Sequence, residues 1–171
     1  MFKENRWPNQ KWLSKKIEIK ASTVHGAGVF ATENIEKREV FEICPVILFH
    51  KSLLKSHYDL HGTTRHILDD YVFKWESSAG NIAIALGGGC IYNHSNDNFN
   101  ACYRMLDEDT LHPRMAFIAT KDILAGEEIF IRYTKSAKLI FDGSGTFMTD
   151  SDPQKASLDQ CHPAIRHLKK S

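Results

Sequence analysis

Asn93, His94 and Ser95 follow three consecutive glycines, Gly87-Gly88-Gly89, which in turn follow the apolar run Ile82-Ala83-Ile84-Ala85-Leu86. The apolar run reads as a buried strand, and packing alone does not ask for Asn-His-Ser directly behind one. Glycines in series let the backbone come close to another chain segment or to a ligand. Asn93 and His94 then add hydrogen-bond donors and acceptors beside that backbone. A second glycine turn, His25-Gly26-Ala27-Gly28, lies upstream, and a third segment, Gly126-Glu127-Glu128-Ile129-Phe130-Ile131-Arg132-Tyr133, lies downstream. Alone, the first is a hairpin turn and Tyr133 a core aromatic. Other residue types suggest other chemistry. Glu127 and Glu128 could serve acid–base catalysis, but beside Gly126 they read as a turn and a sheet contact. Asp107-Glu108-Asp109 could steer a basic peptide but reads as a solvated loop. Cys90, Cys102 and His94 would make a thiol or metal site, with only nearness in sequence behind it. Cys161-His162 lacks the further ligands of a tetrahedral metal site, so no metal is expected.

The elements that would position these residues are short. Ile17-Glu18-Ile19-Lys20 alternates as a strand, and Val29-Phe30-Ala31 returns from the His25–Gly28 turn. Val40–Ile43 and Val46–Phe49 read as two strands divided by Pro45, which cannot donate to a ladder. His50–Asp70 has the spacing of a helical region. Tyr71–Trp75, Ile82–Leu86, Ala101–Leu106, Met115–Ala119 and Ile129–Tyr133 read as further strands. Residues 1–14 read as an arm, with Trp7, Pro8 and Trp12 as candidate anchors. From Asp142 the chain turns to Gly, Ser, Thr and Asp, the composition of a linker, before a short helical pattern over Leu158–Lys170. The expectation is a mainly β domain over 15–141, with a tail over 142–171.

The chain has 171 residues, enough for one domain with its own core. Its net charge of +1 excludes a protein built to coat nucleic acid, and no run is long and apolar enough to span a bilayer. The N-terminus has no secretory pattern. The four cysteines fit neither a Cys-x-x-Cys zinc pair nor a dense disulfide framework, so a reducing, intracellular setting, cytoplasmic or nuclear, is expected.

Taken in order, Gly26-Ala27-Gly28-Val29-Phe30-Ala31, Tyr92-Asn93-His94-Ser95 with Asn100, and Gly126–Tyr133 resemble the motifs of the SET-domain protein lysine methyltransferases. Leu68–Phe73 before Ala83–Gly87 is similar to the compact bacterial and viral members. The resemblance covers Ile17 to Tyr133. It implies small β-sheets around a pseudoknot, with short helices, S-adenosylmethionine as cofactor, and a lysine channel reached from the opposite face. It implies a lysine-bearing protein or peptide as substrate, a histone tail first and a non-histone protein second. It implies neither nucleic acid nor membrane as partner, and it admits a homodimer. Two departures stand out. The usual Asn-His-Ser-Cys-x-Pro-Asn is here Asn93-His94-Ser95-Asn96-Asp97-Asn98-Phe99-Asn100, and the usual acid before the last tyrosine is Arg132. They leave open an alternative, a binding module that has lost turnover.

The resemblance also implies roles. Tyr133 and Tyr71 become catalytic residues, Tyr133 beside the transferring methyl and Tyr71 in the lysine channel. Gly26, Ala27, Gly28, Phe30, Asn93, His94 and Tyr133 become cofactor-binding residues. Asn93 would act through its side chain, and His94 mainly through its backbone.

Overall fold

The computed structural model describes residues 14–55, 67–75, 80–106 and 112–133. The expected arm before Ser14, the tail from 142 and the middle of the expected helical region lie outside the described residues. Among the described residues nine strands form: β1 (Ile17–Ala21), β2 (Ala27–Ala31), β3 (Val40–His50), β4 (Val72–Lys74), β5 (Asn81–Ala85), β6 (Asn93–His94), β7 (Ala101–Leu106), β8 (Arg114–Ala119) and β9 (Glu128–Ile131). One 3-10 turn, Ile67–Asp70, stands before β4. The fold is mainly β, as expected.

The strands make two sheets, one of order β1-β2-β9-β6 and one of order β4-β5-β3-β8-β7. Burial alternates most clearly along β5 and β9. In β2, Val29 and Ala31 turn inward. They join Phe41, Met115, Phe117, Ile129 and Ile131 in one continuous apolar core. Burying such side chains contributes roughly 1.5–3 kcal/mol each before chain entropy is set against it.

Pro45 does not divide two strands. It lies inside the single strand β3 at the point where β3 changes partners. Val40 to Pro45 pair with β8, and Val46 to His50 pair with β5. Proline lacks an N–H but keeps its carbonyl, and that carbonyl accepts from Leu86 N–H at 3.0 Å. The Val46 N–H reaches the Pro113 carbonyl at 3.2 Å. A proline at a change of partner therefore leaves the strand continuous.

The small sheet sets up the site. The two-residue strand β6 pairs in parallel with β9, Asn93 opposite Phe130 and His94 opposite Ile131. The chain then continues along β9: Ser95 N–H donates to Ile131 and Asn100 N–H to Phe130. The Asn100 side chain adds two bonds to the same strand. Its Nδ2 donates to the Glu128 carbonyl at 2.9 Å, and its Oδ1 accepts from Phe130 N–H at 2.8 Å. Segment 93–100 is thus wound onto β9, the arrangement the expected pseudoknot requires.

Candidate active site

The three glycines in series resolve in favour of chain packing. A Cβ at Gly87 would stand 2.8 Å from the Glu42 carboxylate, and one at Gly88 would press on Glu42 and Ile17. One at Gly89 would collide with Ala85. The series admits the buried Glu42 and lets the chain turn tightly from β5 towards β6.

The upstream turn is different. Gly26 has φ +50° and open space where a side chain would be. Gly28 has the Glu128 carboxylate there instead. That carboxylate accepts from Asn93 Nδ2 at 2.8 Å and from Ser22 Oγ at 3.0 Å. Asn93 Nδ2 also lies 3.2 Å from the carbonyls of His25 and Ala27. Three acceptors therefore converge on an amide with two hydrogens. The glycine turn, Asn93 and Glu128 form one cluster although they come from three distant parts of the chain. Glu127 does serve its turn, since its carboxylate accepts from Leu124 N–H. Glu128 does more than stabilise the sheet, and the sequence reading missed it. The available signal was its register, because Glu128 pairs with Phe30, two residues from Gly28 on the same strand face.

Phe30 carries the Lys20 ammonium over its ring, 4.4 Å from the centroid. His94 is half-buried. Its Nδ1 accepts from Tyr133 N–H at 2.9 Å, so the neutral ring carries its proton on Nε2. Burial lowers the His94 pKa below its usual 6.5, with Asn96 acting against this and the Arg132 charge adding to it. Nε2 is itself buried and has no hydrogen-bond partner. A buried donor left without an acceptor is costly.

Tyr133 is held at both ends by the segment it follows in space. Its N–H binds His94, and its hydroxyl donates to the Tyr92 carbonyl. Its ring lies 5.1 Å from that of His94. Burial, with smaller contributions from Cys90, Tyr71 and Asp70, pushes its pKa up to about 12. The phenol therefore stays neutral through the physiological range. Tyr71 is exposed at the end of the 3-10 turn, and its carbonyl accepts from the Cys90 thiol at 3.0 Å. Tyr71, Cys90 and Tyr133 thus share one neighbourhood.

Of the cysteines proposed for thiol chemistry, Cys90 has its pKa raised to about 11 by burial, so it stays a thiol at neutral pH. Cys102 is disulfide-bonded, whereas Cys44 and Cys90 are free thiols. Four cysteines at open spacing do not reveal which of them pair. Among the described residues no three His, Cys, Asp or Glu side chains are grouped as metal ligands.

The SET domain model matches residues 26–134, well over half of the chain. The chain belongs to the SET-domain protein lysine methyltransferases. A curated relative, the histone-lysine N-methyltransferase of Schizosaccharomyces pombe specific for H3 lysine-37, is 31% identical over 121 residues, spanning 71% of this chain and 75% of the relative. The crystal structure of a Plasmodium falciparum chain assigned as a histone methyltransferase superposes with TM-score 0.56 at 30% identity, over 73% of this chain and 98% of that one. CpSET8 from Cryptosporidium superposes with TM-score 0.55 at 25% identity, over 71% of this chain and 58% of that one.

The two departures from the usual family motifs meet in space. The Arg132 guanidinium lies over the Phe99 ring, 4.3 Å from its centroid, and donates to the Asn96 carbonyl at 2.6 Å. A cation in place of the usual acid thus braces the altered loop 95–99.

SET methyltransferases use S-adenosylmethionine, and the residues here fit such a molecule. The open turn at Gly26, the surplus of acceptors around Asn93 and the unpartnered His94 Nε2–H together suit a ligand with both a cationic group and acceptor atoms.

Proposed function

We propose that this SET enzyme binds S-adenosylmethionine at the Gly26–Gly28 turn, Asn93 and His94, with Phe30 beside them, and methylates a lysine of a histone tail. The relative specific for H3 lysine-37 makes histone H3 the first substrate to try. A histone substrate places the enzyme inside the cell, in the nucleus. When bound, the cofactor supplies an electrophilic methyl group on a sulfonium; the chain supplies position and electrostatics.

Tyr133 carries this reading. Its hydroxyl proton is committed to the Tyr92 carbonyl, so the oxygen keeps its lone pairs for other contacts. Such an oxygen accepts weak C–H hydrogen bonds from a polarised methyl and holds an amine in line. Because the phenol stays neutral, this arrangement does not change across the working pH range. A free lysine has a pKa of about 10.4, and apolar surroundings lower it by disfavouring the ammonium. No side chain need act as a strong base. Tyr71, at the exposed end of the same neighbourhood, suits the mouth of the lysine channel. β4 begins at the next residue and, among the described residues, is an edge strand, the kind of element to which a peptide adds as one more strand.

The binding-module alternative drew on Arg132 and the altered loop. Since these brace each other, they do not indicate a decayed site. The test is methyl transfer from radiolabelled cofactor to histone H3, the other core histones and total cell protein. Labelling of one defined H3 lysine supports the proposal. Labelling of other proteins alone moves it to a non-histone substrate, and cofactor binding without any labelling favours the binding module.

A further inference from the structure

Glu42 is a carboxylate with 3% exposure in the middle of the core. Alternation along β3 would pair it with Val40 on one face, but the pairing with β8 slips between Val40 and Glu42. That bulge buries Phe41 and Glu42 in succession and turns Glu42, Cys44 and Val46 inward. A carboxylate there costs several kcal/mol unless its oxygens are hydrogen-bonded, and each of them has a donor. Oε1 accepts from Gly88 N–H at 2.8 Å, and Oε2 accepts from the Tyr92 hydroxyl at 2.6 Å.

These two partners bound the segment 88–92, the connection that delivers Asn93 and His94. Tyr92 is 1% exposed, with its ring 4.6 Å from Phe117. Its two ends do different things: the hydroxyl is held by Glu42, and the backbone carbonyl takes the Tyr133 hydroxyl proton. A line of hydrogen bonds and one rigid ring therefore runs from the core carboxylate to the Tyr133 hydroxyl.

We propose that Glu42 is a positioning residue for methyl transfer, fixing the Tyr92 carbonyl and through it the direction of the Tyr133 hydroxyl. The inference rests on the reading of Tyr133 given above. Glu42 is buried in the core and acts through these partners. An apolar side chain would fill the space, but it would leave Gly88 N–H and the Tyr92 hydroxyl without an acceptor and the carbonyl free to shift. An error of about 1 Å in a positioned group is enough to slow a reaction about a hundredfold.

The experiment is a double-mutant cycle between Glu42→Gln and Tyr133→Phe, read as kcat, KM for the lysine peptide and cofactor Kd at a temperature where all variants are folded. Glu42→Gln keeps the shape but brings an amide donor to a site that needs two acceptors. It is expected to lower kcat about tenfold or more while KM and Kd stay within about twofold. In the Tyr133→Phe background it should do nothing further to kcat, because the hydroxyl it acts through is gone. Tyr92→Phe keeps the ring and the Gly88 bond, should follow the same pattern, and carries the test if Glu42→Gln does not fold. Wild-type kcat in these variants overturns the proposal. So does an equal loss in both backgrounds, which marks a merely structural role. If Tyr133→Phe alone turns over like wild type, the reading of Tyr133 has failed and this inference falls with it.

Discussion

Glu128 holds its carboxylate in the space that a side chain at position 28 would need. The glycine is therefore tied to a residue one hundred positions further along, and the pair keeps Asn93 in place. Gly28→Ala is expected to push the carboxylate away and break its bond to Asn93. The cost should be about 1–3 kcal/mol of unfolding free energy, the range for overpacking and for a lost hydrogen bond to a charged group. Denaturant titration measures it. In a Glu128→Ala background the alanine at 28 should cost much less, since the obstacle is gone; equal costs in the two backgrounds would remove Glu128 as the reason for the glycine.

Asn93→Ala is the matching change at the ligand. It should weaken S-adenosylmethionine binding by about 1.5–3 kcal/mol from a micromolar starting affinity. Calorimetry reads this directly. No heat from the wild-type protein at millimolar cofactor would remove the proposed cofactor site altogether.

Arg132→Asp restores the acid that relatives usually carry and should still do harm. It removes the contact with Phe99 and the bond to the Asn96 carbonyl, at a cost of about 1–3 kcal/mol. Arg132→Lys should recover only part, because an ammonium lacks the planar fork that stacks and donates together. Unfolding curves for the three proteins decide it, and an aspartate variant as stable as wild type would mean that loop 95–99 is held by something else.

Much of this was legible in the sequence. Ile17 and Ile19, Val29 and Ala31 show period two, and the glycines at 26 and 126 mark the turns beside them. What stayed hidden depends on contacts across the chain. β6 has two residues and exists only because β9 is beside it, so no local pattern could announce it. Pro45 looked like a break because its missing N–H is a local fact, whereas the change of partner that makes it harmless is not. The burial of Glu42 is not visible locally either, because the bulge that turns it inward belongs to the pairing with β8. Glu128 read as a turn and sheet contact until Gly28 and Asn93 were brought to it. Chemistry that rests on such meetings follows from the fold rather than from spacing.

His94 should give stability a slope in acid. Burial holds its pKa below the 6.5 of the unfolded chain. The unfolded state then binds more protons over that interval, so stability is fully present above pH 6.5 and is lost as pH falls towards the folded value. Protonation at Nδ1 would also end its acceptance of the Tyr133 N–H. Glu42 works the other way. Burial raises its pKa above 4.5, so its contribution weakens as pH rises from 4.5 through the folded value. His94→Gln should therefore be less stable than wild type at pH 7.5, with the difference shrinking below pH 6.5. A difference that stays constant across that range would show that His94 does not titrate in the way its burial implies.

Tyr133→Phe separates folding from chemistry. The ring still fills its place, so the fold should be nearly unchanged. Its backbone bond to His94 also survives. Cofactor affinity should change little, because the hydroxyl is assigned to the methyl and the amine. Turnover should fall by about tenfold to a thousandfold, the effect of losing a positioned electrostatic contact of about 1.4–4 kcal/mol. The fall should appear in kcat without a matching rise in KM, the mark of an interaction made mainly in the transition state. Since the phenol pKa is pushed up to about 12, the wild-type rate should show no ionisation of this group between pH 7 and 9. Tyr71→Phe is the control. Tyr71 is 41% exposed and lies towards the proposed channel mouth. Losing its hydroxyl should leave the first methyl transfer nearly intact, while the number of methyl groups added to the lysine shifts. Mass spectrometry of the product reads that number. Wild-type turnover in Tyr133→Phe, combined with a severe loss in Tyr71→Phe, would move the reaction centre from β9 to the start of β4.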